Sequence, residues 1–452
     1  MRRNGRFGRG NRTRERLSVP DRLTAIGLSV VGLLLAANAA AADVAMPPFY
    51  QAAGALAPDG PLGKVLKSEP VQTSIPGAHA WRIAYVSSDV GGRKTISTGL
   101  VVAPSAPAPK EGRPVIAWAH GTTGTAQNCG PSQVPDPAQA LNEYFLIGGN
   151  SWTDYGLPSV ETFVKDGYVV VGTDYQGLGA GGKHQYSVAA TNGRDAINSV
   201  RAVASMSETG AGKTAVMYGW SQGGGATLAA ASLGDYIAQT GTAADGVEFL
   251  GFAALAPDDV AAAAPSVPAD EASAEKLLGG LTASFSDNVF NFTHFIMFMW
   301  GSQAAFPDLK LADIFTEDGA AMIDAIVSQK CVHVTSDTLN YAVGANYKSL
   351  LLTTPTNALA WSNALIKGSV EPVKPVAPVI IYWGTHDTVV PPVMGEVYRK
   401  QMCGLGGNIT RVQLPGEQTH FSTPGASAPL YVPWIEDRVA GKPIADGCKS
   451  GG

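Results

Sequence analysis

Gly219-Trp220-Ser221-Gln222-Gly223 has the form G-x-S-x-G and occurs once in the chain. It stands between an apolar run at 215–218 and an Ala-rich stretch at 226–233, so it reads as a turn joining a strand to a helix. A serine on such an elbow is pushed out of the chain on a sharp turn that its flanking glycines permit. The helix N-terminus behind it favours negative charge developing nearby. The chemistry indicated is nucleophilic attack on a carbonyl carbon. A hydroxyl is a weak nucleophile, so a base must take its proton. Imidazole suits that task because its pKa of about 6.5 lies near working pH. The chain offers His79, His120, His184, His294, His333, His386 and His420.

These groups need elements to hold them. Short β-rich runs at 81–86, 96–102, 115–118, 168–172, 215–218, 249–255, 379–383 and 412–414 alternate with helical patterns. Among the latter, Ala196, Ile197, Val200 and Val203 recur at helical spacing. This alternation predicts an α/β chain of the α/β-hydrolase fold: a mainly parallel sheet with helices on both faces. From 258 to 378 the strand rhythm stops. Helices are expected at 261–264, 272–281 and 311–327, and an apolar run fills 289–300. We read 258–378 as a large helical cap insertion covering an apolar site, 1–42 as a signal peptide, and 43–257 and 379–452 as the two parts of one catalytic core.

In this architecture the order along the chain is nucleophile, acid, histidine, with the acid after a late strand. Asp387 follows the run 379–383 and His420 follows the last one, so Ser221, Asp387 and His420 form the expected triad. His386 is the rival base and Asp174 the rival acid. Adjacency sets His386 aside, because it can hardly bond Asp387 and also reach Ser221. Asp174 precedes the elbow, which is the wrong order. The oxyanion is expected on the N–H of Gln222 and on an amide of the loop 120–124, Thr122 first and Thr123 as the alternative. Gly177 to Gly182 contains G-x-G-x-x-G, but no helix opens there, so a dinucleotide site is not expected.

The chain has 452 residues, 45% hydrophobic and 15% charged, enough for a sizeable core and incompatible with a wholly disordered chain. Its net charge of −5 is uneven. Residues 1–42 hold eight Arg against Glu15 and Asp21, leaving about −11 on the remainder. So acidic a body is a poor partner for nucleic acid or anionic membrane. The basic start, the uncharged run 23–37 and the following alanines have the order of a secretory signal. That run and the one at 289–300 are both short of the roughly 20 residues of a membrane span. We therefore expect secretion without stable membrane insertion, with contact to a lipid interface left open. Cys129, Cys331, Cys403 and Cys448 are the only cysteines. In an exported chain they should form two disulfides. Nearness in sequence favours Cys403–Cys448, and hence Cys129–Cys331. None has metal-site spacing, and no metal is expected.

Several stretches together resemble the secretory lipase family of α/β-hydrolases. They are residues 170–179 with the helix at 194–201 after them, the Ser221 elbow, the Asp387 and His420 segments, and Cys129 followed by Gly130-Pro131-Ser132. The likeness runs from Tyr85 to Trp434. It implies a secreted, cofactor-free carboxylic ester hydrolase acting on small-molecule or lipid esters, with a helical cap shaping its acyl pocket and with the same two disulfides. Ser221, Asp387 and His420 match the family's triad residue by residue. The chain departs from fungal members in having Gln222 where they have Gly. It also has a His-Gly loop, His120-Gly121, of the kind found in bacterial esterases. Triacylglycerols, short-chain esters, and acyl-transfer or peptidase substrates are all compatible with these residues.

Overall fold

The computed structural model describes residues 46–139, 156–258 and 268–449. The expected leader and the helix expected at 261–264 lie outside these residues. Among them are nine strands: β1 (Val65–Val71), β2 (Ala78–Ser88), β3 (Lys94–Pro104), β4 (Arg113–Ala119), β5 (Val169–Gln176), β6 (Ala211–Trp220), β7 (Glu248–Leu255), β8 (Val379–Trp383) and β9 (Ile409–Gln413). They form one sheet in the order β1-β2-β3-β5-β4-β6-β7-β8-β9. From β5 to β9 every pairing is parallel, while β1, β2, β3 and β5 pair antiparallel.

The central strands alternate between two cores, as a strand buried on both faces must. In β6, Ala215 and Met217 enter one core, and Val216, Tyr218 and Trp220 the other. In β8, Val379 and Ile381 divide from Ile380 and Tyr382 in the same way. Such a sheet needs helices on each side. In chain order the helices are α1 (Pro48–Gly54), α2 (Val160–Lys165), α3 (Ala189–Ala204), α4 (Gln222–Ser232), α5 (Gly234–Ile237), α6 (Glu271–Phe285), α7 (Val289–Ala305), α8 (Glu317–Val327), α9 (Val332–Val343), α10 (Ala358–Lys367), α11 (Val393–Gly404) and α12 (Thr423–Val439). Helices α3, α4 and α11 pack on one face, α2 and α12 on the other.

Helices α6 to α10 fall between β7 and β8 and build a separate core around Phe292, Phe295, Trp300, Phe315 and Trp361. The Asp270 side chain caps α6 by accepting from Ser273 N at 2.8 Å, and Asn288 caps α7 by accepting from Asn291 N at 2.8 Å. Such caps satisfy orphan N–H groups of the first turn. The helix expected at 311–327 is instead a 3₁₀ turn, Leu311–Asp313, followed by α8. Thr316 interrupts it by capping α8, its hydroxyl accepting from Gly319 N at 3.0 Å. Cys129 is bonded to Cys331, and Cys403 to Cys448. No helix among the described residues is long and apolar enough to cross a membrane.

Candidate active site

Ser221 sits between the end of β6 and the start of α4 with φ 56° and ψ −118°, a conformation that L-residues rarely adopt. The surroundings hold it there. Its N–H donates to the Leu255 carbonyl at 3.0 Å, and its carbonyl accepts from Gly225 N at 3.0 Å and Asp258 N at 3.1 Å. The elbow is packed too tightly for larger residues. A Cβ on Gly223 would stand 1.9 Å from the Ala119 carbonyl oxygen, and one on Gly219 would stand 2.3 Å from that of Gly223.

The parallel sheet brings the ends of β6, β8 and β9 to one edge, and with them the three expected residues. His420, on the loop before α12, has Nε2 2.9 Å from Ser221 Oγ and Nδ1 2.8 Å from Asp387 Oδ2. A carboxylate only accepts, so Nδ1 carries the hydrogen and Nε2 accepts from the serine hydroxyl. The other oxygen of Asp387 accepts from Val389 N at 2.9 Å and Val390 N at 2.8 Å. Trp220 lies beside the imidazole at 5.1 Å between ring centres and donates its indole N–H to the His420 carbonyl at 3.1 Å. All three residues are buried.

The rivals lie elsewhere. His386 is exposed, with Thr385 Oγ1 3.1 Å from its Nδ1. Asp174 is fully enclosed and accepts from Ser132 N at 2.8 Å, Ser132 Oγ at 2.5 Å and Thr98 Oγ1 at 2.7 Å. Burial pushes its pKa up to about 6, against those hydrogen bonds. His120 is buried with Nδ1 2.6 Å from the Gly121 carbonyl, and burial lowers its pKa to about 4. It braces the loop.

The N–H of Gln222 opens α4, where helix geometry leaves it no intrahelical acceptor. Its side chain is pinned, Nε2 lying 3.1 Å from both Asn192 Oδ1 and His184 Nε2. His184 Nδ1 donates to the Gln176 carbonyl at 2.8 Å, so its Nε2 accepts from the amide. Burial lowers the His184 pKa to about 3, which keeps this arrangement neutral. Thr122 lines one crevice with Ser221 and His420, and its hydroxyl is 2.7 Å from Tyr186 OH. The next residue is engaged differently: the Thr123 carbonyl accepts from Val332 N at 3.0 Å, and Gly124 bridges to Cys331.

A second crevice beside Ser221 is walled by Phe285, Phe290, Phe295 and Phe298 of α6 and α7, and by Val390 and Met394. The sequence reading missed Asp258, Ser187 and Tyr186, which also line it. The signal for Asp258 was present: a carboxylate three residues after the β7 run, which neighbours the strand ending at the G-x-S-x-G serine. Among the described residues no group of three or more His, Cys, Asp or Glu is arranged to hold a metal ion.

The chain is 22% identical to Lipase 1 of Candida albicans over 94% of its own length and 87% of that protein's. It is 23% identical to the secreted triacylglycerol lipase LIP2 of Malassezia furfur, covering 72% of this chain and 64% of that one. Candida antarctica lipase A in its closed state superposes with a TM-score of 0.61 at 17% identity, over 89% of this chain and 88% of that one. The rice cell wall degrading esterase LipA of Xanthomonas oryzae gives 0.59 at 16% identity, over 84% and 98%. These two share the α/β-hydrolase fold seen here. The secretory lipase family model matches residues 150–267 and 308–447, more than half of the chain. With the fold in common and that much of its length matched, this chain belongs to the secretory lipase family and is a carboxylic ester hydrolase of the lipase and esterase kind.

Proposed function

We propose that Ser221 is the nucleophile of this hydrolase, His420 its general base and acid, and Asp387 the group that orients His420. The observation that carries this reading is the unbroken chain Ser221 Oγ–His420–Asp387 at 2.9 and 2.8 Å. Ser221 Oγ attacks the ester carbonyl as its proton passes to His420 Nε2. Asp387 stabilises the imidazolium without taking the proton. The amides of Gln222 and Thr122 hold the oxyanion, and His420 returns the proton to the departing alcohol. Water, activated by the same imidazole, then hydrolyses the acyl-enzyme. The segment 258–378 acts as the cap, its phenylalanines providing the acyl site. The apolar crevice and the acidic body favour uncharged acyl esters as substrates, triacylglycerols among them. The leader directs the chain out of the cell, in keeping with the family and its two disulfides.

The test is hydrolysis of p-nitrophenyl esters from two to sixteen carbons, with Ser221→Ala as control. We expect turnover that the control loses. A maximum at eight carbons or more supports a lipase, and one at two to four carbons an esterase. Activity that survives in the control would overturn the assignment of the nucleophile.

A further inference from the structure

The crevice beside Ser221 is walled by apolar side chains of α6 and α7 and is also lined by a carboxyl group, Asp258. That group follows β7 and is tied to the elbow, because its backbone N–H donates to the Ser221 carbonyl at 3.1 Å. A carboxylate can accept about four hydrogen bonds. Among the described residues one side chain donates to this one, Ser187 Oγ to Oδ2 at 3.1 Å. Ser187 is itself held in the left-handed region at φ 52°, a strain that proteins tend to keep at functional positions. Asp258 is not needed as the triad acid, since Asp387 already occupies His420 Nδ1. A carboxyl that lines an apolar crevice beside the reacting group is placed to meet a polar group of the substrate.

We propose that Asp258, held by Ser187, is a specificity-determining residue that binds a free hydroxyl on the alcohol portion of the ester, so that esters of polyols such as partial glycerides are preferred over simple alkyl esters. This rests on the reading of Ser221 as nucleophile. The phenylalanine walls take the acyl chain, the ester carbonyl lies at Ser221, and Asp258, tied to the elbow through its backbone N–H, meets the alcohol. Burial raises the Asp258 pKa, while Ser187 and the nearby His420 lower it. A hydroxyl donates and accepts, so it suits either protonation state of the carboxyl. An ammonium would suit only the ionised form and would lose its hydration among four phenylalanines. An alkyl group would offer the carboxyl no hydrogen bond, and sites built to bond a hydroxyl reject analogues that lack it.

The test compares kcat/KM for the glyceryl monobutyrate ester and for propyl butyrate. The wild type should prefer the glyceryl ester by ten- to hundredfold, the range of a hydrogen bond to a charged group. Methylating both free hydroxyls should remove the preference. Asp258→Leu should shrink the ratio about tenfold or more, and Asp258→Asn, which keeps a neutral acceptor, should lose less than Asp258→Leu. A wild-type ratio within twofold of unity would overturn the proposal, and that measurement needs no variant to fold. So would equal losses on both esters in Asp258→Leu. Preference for propyl 3-hydroxybutyrate over propyl butyrate, without a glyceryl preference, would overturn the assignment to the alcohol side. Hydrolysis that survives Ser221→Ala would overturn the reading of the nucleophile, and this proposal with it.

Discussion

Replacing Asp387 by Asn tests the site most sharply, because the structure dictates which way the new amide must face. One oxygen of Asp387 accepts from Val389 N and Val390 N, and the other from His420 Nδ1. An amide NH2 cannot face two backbone donors, so the Asn oxygen stays on them and its NH2 turns to His420. The imidazole must then accept at Nδ1 and carry its hydrogen on Nε2, pointed at Ser221 Oγ. A ring in that tautomer cannot take the serine proton. Loss of the correct tautomer in serine hydrolases costs about 10⁴-fold, or about 5 kcal/mol in the barrier. The assay is kcat/KM on a p-nitrophenyl ester, alongside the rate of labelling by a fluorophosphonate, with thermal unfolding to show an intact fold. Both rates should fall by about that factor while the melting temperature changes little. Activity within tenfold of wild type in a folded variant would refute the reasoning. It would mean that another carboxylate sets the ring, with Asp258, in the crevice beside Ser221, as the candidate. His386→Ala is the contrasting control. Its ring is exposed, and the variant should keep most activity.

Three further outcomes follow from geometry. Ser221→Gly should abolish turnover yet stabilise the protein by about 1 kcal/mol, because Gly adopts φ 56° without strain; a lower melting temperature would count against the strain. Removing the Cys129–Cys331 link by paired Cys→Ser changes frees a loop of sequence separation 202, worth about 5 kcal/mol in the chain-entropy model. Thermal unfolding should show a marked loss, and kcat should fall as well, because this link ties Cys129, shortly after the loop 120–124, to Cys331 at the start of α9. Asp174 has a folded-state pKa raised to about 6, above the value near 4 of an unfolded chain. The folded protein therefore binds more protons across pH 4 to 6, and this group's contribution is lost as pH rises through that window. Relative to wild type, Asp174→Asn should gain about 2 kcal/mol between pH 4.5 and 7 in urea unfolding, and a gap that does not vary with pH would refute it.

What could be read from the sequence was whatever local order expresses. The central strands announce themselves because burial on both faces makes them continuous apolar runs, as at Val216 to Tyr218. The elbow is equally visible, since Gly219 and Gly223 answer a steric demand within a few residues of Ser221. Helix α12 was hidden because Pro429 and Pro433 stand inside it, and β1 because its burial pattern is weak and it pairs at the sheet edge. Asp387 and His420 could be placed by chain order, although 33 residues separate them and 199 separate His420 from Ser221. The anchoring of Gln222 by His184 and Asn192, and the hydrogen bond from Val332 N to the Thr123 carbonyl that ties the loop 120–124 to α9, were decided by the tertiary structure alone. Each is a contact between polar groups brought together by packing of the sheet and the α6–α10 helices, and nothing in the periodicity of a single segment records which distant residue will complete a hydrogen bond.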